Sequence, residues 1–134
     1  MKNKSNEATV LRPEGDRILN APLVEMDLNK FIVQLKQETT WTASDHNAIT
    51  IFKSAYMTIV LIGMHENAEL KKHNTYGSIT IQVLDGKISF TAEQQTLSLE
   101  KGQMIALEAD ITHSVLALKE SFILLTMIIN NQSL

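Results

Sequence analysis

The stretch Ser78-Ile79-Thr80-Ile81-Gln82-Val83-Leu84-Asp85-Gly86-Lys87-Ile88-Ser89-Phe90-Thr91 decides how the chain is read. Branched apolar residues fall on every second position from Ile79 to Val83, the period of a strand with one face buried. Asp85-Gly86 separates this run from a second one, Lys87 to Thr91. Both turn positions tolerate positive φ, so the pair predicts a two-residue hairpin. Further β-type runs lie outward on both sides: Ala48 to Phe52 and Tyr56 to Met64 before it, then Thr96 to Leu99, Gln103 to Leu107, His113 to Leu118 and Ser121 to Ile129. Polar turns at Glu93 to Gln95 and at Glu100-Lys101-Gly102 punctuate them. About eight strands so spaced predict an all-β sandwich or barrel rather than alternating β/α units.

One helix is expected before the strands. Asp27 can cap it, and Leu28, Phe31, Ile32 and Leu35 then share a face. Its end is expected near Glu38, because Thr39, Thr40 and Thr42 are weak helix formers. Trp41, the single tryptophan, is expected to pack this helix on the barrel. The runs Ile59 to Ile62 and Phe122 to Ile129 are apolar at nearly every position, so both faces should be covered. The core covers one face, and the helix or a second copy covers the other, which points to a homodimer. Residues 1–20, with Pro13 and Gly15, read as an arm with little structure of its own. Residues 21–134 read as one domain with its barrel between about 47 and 129.

A length of 134 residues suits a single domain with a real core. The absence of cysteine excludes disulfides, zinc–thiolate sites and thiol catalysis. The polar start, Met1 to Glu7, lacks the apolar core of a signal peptide, and Phe122 to Ile129 is too short to span a bilayer as a helix. A cytoplasmic protein without membrane contact is therefore expected. Net charge is −3 and only Lys71-Lys72 approaches a basic cluster, so no face suits nucleic acid. There is no Gly-x-Ser-x-Gly elbow, phosphate loop or dinucleotide fingerprint.

Two segments carry a resemblance. His73-Asn74-Thr75-Tyr76-Gly77, running on through Ile79 to Gly86, resembles the first motif of the cupin superfamily, where a His-x-His pair precedes a glutamate and a glycine. Gly102-Gln103-Met104-Ile105-Ala106-Leu107-Glu108-Ala109-Asp110-Ile111-Thr112-His113 resembles its second motif, where glycine leads through Pro-x-Gly to a last histidine. The resemblance spans about half of the chain and is to small single-domain cupins of the conserved-barrel type. It implies a double-stranded β-helix, a jelly-roll barrel, here with one N-terminal helix. It also implies a degenerate metal motif. The second histidine falls on Thr75, the glutamate on Ile79, and the proline and glycine on Glu108 and Asp110, leaving His73 and His113.

Two readings of that pair stay open. A divalent iron, manganese, nickel or zinc ion needs about three protein ligands. His73 and His113 would need a third from His65, Glu69 or Gln82. If Ile79 faces inward, strand alternation turns Gln82 away. In the other reading, His73, Thr75, Ile79, Ile81 and His113 line a pocket for a small molecule without a full catalytic metal site. Such histidines could also move protons unaided. The alternative function is a metal-dependent enzyme of the dioxygenase or isomerase class on His73 and His113. Glu108 and Asp110 read as a solvated turn. Asp45 and His46 are expected to diverge at the surface. Met57, Met64, Met104 and Met127 read as flexible core filler.

Overall fold

The computed structural model describes residues 4–5, 18–73 and 75–129. Residues 1–3 and 6–17 of the expected arm, Asn74, the side chain of His73 and residues 130–134 lie outside that description. Within the arm, β1 (Lys4–Ser5) pairs antiparallel with β2 (Ile18–Asn20).

Helix α1 (Leu28–Gln37) begins as expected, with the Asp27 carboxylate accepting the Lys30 amide at 3.2 Å. A second short helix, α2 (Thr39–Ala43), follows Glu38 at once, where the threonines predicted an end to helix. Threonine's propensity is a weak prior that packing overrides. Here Trp41 is buried beneath the turn against Leu35, Leu61 and Phe122.

Nine strands then alternate between two facing sheets. β3 (His46–Lys53) and β4 (Met57–Met64) begin the first sheet and β5 (Glu69–His73) the second; β6 (Ser78–Asp85) returns to the first. β7 (Lys87–Ala92) and β8 (Gln95–Glu100) belong to the second, β9 (Met104–Leu107) to the first, β10 (His113–Ala117) to the second and β11 (Ser121–Ile128) to the first. The orders are β3-β4-β11-β6-β9 and β5-β10-β7-β8, antiparallel throughout. This doubly wound sandwich is the jelly roll expected from the strand pattern.

Two local expectations are corrected. Asp85-Gly86 does not close a hairpin, because β6 and β7 lie in different sheets. Gly86, at φ +95°, turns the chain between the sheets, and a Cβ there would collide with Ser121 Oγ and the Glu120 carbonyl. Ser121, wholly buried, pins the corner by accepting the Lys87 amide at 2.9 Å. The two-residue hairpin lies one strand later. Ala92 pairs with Gln95 around Glu93 and Gln94, at φ 51° and 61°, the mirror-image turn that fits strand twist.

The apolar runs are covered on both faces along most of their length, while Ile128 at the end of β11 is exposed. Met64, Ile62 and Ile123 face the inter-sheet core with Ile79, Ile81, Val83, Ile88, Phe90 and Val115. Leu61 and Phe122 face Leu35 and Trp41 in a second cluster beneath the helices. Met64 is buried as filler, whereas Met104 is half exposed on the edge strand β9.

Candidate functional site

The two histidines of the resemblance lie on neighbouring strands. In the second sheet β10 runs between β5 and β7, and His113 is paired with position 73 on one side and with Ala92 on the other. Ala92 in turn pairs with Gln95 of β8. Positions 73, 113, 92 and 95 thus form one row across the sheet, in which the directly paired His113, Ala92 and Gln95 share a face. Val115, Phe90 and Leu97 make the next inner row.

His113 is almost fully buried. Its Nδ1 lies 2.9 Å from the carbonyl oxygen of Ile111. A carbonyl only accepts, so Nδ1 holds a proton and donates to it. The ring stacks on Phe90 with centroids 5.7 Å apart and planes 22° apart. The loop before it is tied down by the Asp110 amide, which donates to the carbonyl of Thr75 at 2.7 Å. Asp110 sits at φ +65°, left-handed backbone at the position where the resemblance places glycine. Thr75 Oγ1 donates to the carbonyl of Gly77 at 3.0 Å, so the threonine braces a loop. Glu108 and Asp110 are exposed.

Ile79 and Ile81 are buried between the sheets, and Ile79 pairs with Leu107 and Met127. The slot that the resemblance gives to a carboxylate therefore holds hydrocarbon against hydrocarbon. None of the expected third ligands reaches it. Gln82 is half buried and alternates out of phase with Ile79, Ile81 and Val83. Glu69 is exposed on β5, paired with Leu116. His65 stacks on Trp41 at 3.7 Å, and its Nε2 donates to the Trp41 carbonyl at 2.7 Å, on the helix side of the first sheet. Two residues on, the Asn67 amide meets the Ala117 carbonyl. That is the far end of β10, four residues or about 13 Å from His113 at strand rise. Among the described residues no three of His, Cys, Asp or Glu cluster as a metal site. The donors present do not fit the three-histidine, one-glutamate set.

What the sheets do leave is a seam. β8 and β9 are edge strands of opposite sheets and are not paired with each other. Between them lies a pocket of about 220 Å³ walled by Phe90, Ala92, Leu97, Ile105 and Leu107. Glu93, Gln95 and Ala106 complete its lining. Phe90 and Ala92 therefore serve twice: they line the pocket and flank His113. A larger hollow, about 750 Å³, lies along the polar face of α1 beside Asp27 and Lys30, away from both motifs. Sequence reasoning did not single out Ala92, Leu97 or Ile105. The available signal was that Leu97 and Leu99 share one face while Ser98 takes the other, and the structure leaves Leu97 partly exposed there.

Asp45 and His46 do meet, contrary to expectation: His46 Nδ1 and Asp45 Oδ1 are 2.7 Å apart. The bend at Ser44 and Asp45 precedes β3, so strand alternation does not yet apply. This hydrogen bond holds the Asp45 carboxyl below the usual carboxylate range. Both side chains are exposed, as expected of a surface pair.

No family model matches the sequence, and a search of curated proteins finds no relative. Solved structures do match. A conserved protein of unknown function from Streptococcus pyogenes is 19% identical, with a TM-score of 0.67 over 85% of this chain and 94% of that one. A cupin-2 domain containing protein from Shewanella frigidimarina is 15% identical, with a TM-score of 0.62 over 77% and 93%. Salicylate 1,2-dioxygenase from Pseudoaminobacter salicylatoxidans is 17% identical, with a TM-score of 0.60 over 75% of this chain but 30% of its own. The chain has the cupin fold.

Proposed function

We propose that this protein binds a small organic molecule in the seam between β8 and β9. The apolar body of the ligand lies against Phe90, Leu97, Ile105 and Leu107. Its polar group lies at the Ala92 end of the pocket, beside the row that carries His113. The observation that carries this reading is the shared row: the pocket wall at Ala92 is the immediate neighbour of the buried imidazole of His113. Apolar walls with few convergent polar groups are the usual make-up of small-ligand sites.

The test is an amide-resolved NMR titration of the full chain with benzyl alcohol. Shifts are expected at Phe90, Ala92, Leu97, Leu107 and His113, and Ala92→Phe, which fills the pocket, should abolish them while the fold persists. Shifts confined to the α1 hollow would overturn the seam as the site.

A second reading has one observation behind it, the pairing of positions 73 and 113 across adjacent strands. It makes the protein a metal-dependent enzyme on His73 and His113. Iron, manganese, nickel or zinc would require a further donor, and the buried hydrocarbon at Ile79 speaks against it. We therefore favour binding without a full metal site.

A further inference from the structure

We infer that the seam pocket selects small molecules that carry an ammonium group on a flat apolar body, with Glu93 as the residue that reads the positive charge. This rests on the seam being the binding site.

The charge argument comes from the lining. Among the described residues around the pocket, Glu93 is the sole ionisable group; the remainder are apolar, apart from Gln95. No lysine or arginine stands in that lining. Along β8 the nearest cation is Lys101, in the turn beyond Glu100, four residues past Leu97 and about 13 Å away at strand rise. At the other end of the wall, Leu107 is followed by Glu108, a second exposed carboxylate. An anionic ligand would enter against these charges with no lysine or arginine in the lining to meet it. An ammonium would find a partner at the rim and hydrocarbon beneath it.

A second observation bears on why glutamate stands there. Glu93 and Gln94 hold both central positions of a mirror-image hairpin turn, at φ 51° and 61°. That turn strongly favours Asn-Gly or Asp-Gly, since other residues meet steric cost at positive φ. The turn alone would thus select a different dipeptide. The glutamate stands against the preference of its own backbone, at the edge of the pocket, where its carboxylate can meet a cation.

The experiment compares three probes with one ring and three charges: benzylamine, benzyl alcohol and benzoate, each titrated into the full chain and followed at the amides of Phe90, Ala92 and Leu97. Benzylammonium is expected to bind about threefold tighter than the alcohol, the scale of one exposed ion pair, with benzoate the weakest. Glu93→Gln should bring the ammonium to the level of the alcohol and leave the alcohol unchanged. Glu93→Asn should do the same while raising the melting temperature. If benzylammonium binds no tighter than the alcohol, or keeps its advantage in Glu93→Gln, the charge selection is wrong and the seam reading stands. If none of the three probes moves the seam amides at millimolar concentration, both are overturned.

Discussion

Asn47 joins the helices to the sheet through a single side-chain amide. Its Nδ2 donates to the Leu35 carbonyl at 3.1 Å and to Glu38 Oε1 at 3.0 Å, and its Oδ1 accepts the Ala48 amide at 2.9 Å. Both Asn47 and Glu38 are buried. Removing the amide leaves the Leu35 carbonyl and one carboxylate contact without their donor in a site that water barely reaches. Asn47→Ala should therefore destabilise by about 2 kcal/mol, read from urea unfolding; a loss under about 0.5 kcal/mol would mean the contacts are replaced by water. A gentler effect belongs to Asp45. His46 donates to its carboxylate, so its folded pKa lies below the unfolded value. Its contribution is then present above the usual carboxylate range and is lost as pH falls through the lowered value. A carbon-detected titration should place the Asp45 midpoint lower in the native chain than in His46→Ala, and equal midpoints would remove the hydrogen bond from the account.

Elements differ in how openly the sequence announces them. β4 and β11 were legible because runs apolar at nearly every position demand cover on both faces, and α1 with Trp41 supplies the outer cover. β5 was not. Glu69, Lys71 and Lys72 give it the charged look of a loop, yet such charges are how an edge strand resists pairing with strangers. Asp85-Gly86 carried a real turn signal but the wrong partner, since local chemistry fixes φ and says nothing about which sheet the next strand joins. The candidate site suffered from the same limit. His113 was visible from its motif, whereas Ala92, Leu97 and Ile105 become a pocket only once two unpaired edges meet. Where the helical layer touches β4, one residue sets the spacing. A Cβ on Gly63 would come within 2.7 Å of Leu35 Cδ2, 2.9 Å of Phe122 Cε1 and 3.1 Å of Trp41 Cζ3. All three neighbours are packed and buried, so the layer must shift outward. Gly63→Ala should cost about 1–3 kcal/mol and change the fluorescence of Trp41. An unchanged emission spectrum with full stability would show that the layer is looser than this packing implies.

At the scale of the whole molecule the fold and its chemistry separate. The jelly roll has the form of the cupins, but the space between its sheets is filled by Ile79, Ile81, Val83, Ile88, Phe90, Val115 and Ile123. A native state that held an ion would be stabilised by mass action, by an amount that grows with occupancy and vanishes when a chelator strips the site. The hydrocarbon at Ile79 and the remote positions of His65, Glu69 and Gln82 leave such an ion at most a pair of imidazoles. Two neutral donors are below the three or so that hold a divalent cation in an open site. Untagged protein should then contain well under one transition-metal ion per chain by elemental analysis. A chelator in excess should leave the melting temperature within about 1 °C of its starting value, because no native-state ligand is withdrawn. His113→Ala should leave both results unchanged, since on this reading the imidazole serves the row beside the seam rather than a metal. A stoichiometric ion, lost in His113→Ala together with a fall in melting temperature on chelation, would reverse that assignment and restore the metal-dependent enzyme as the better account.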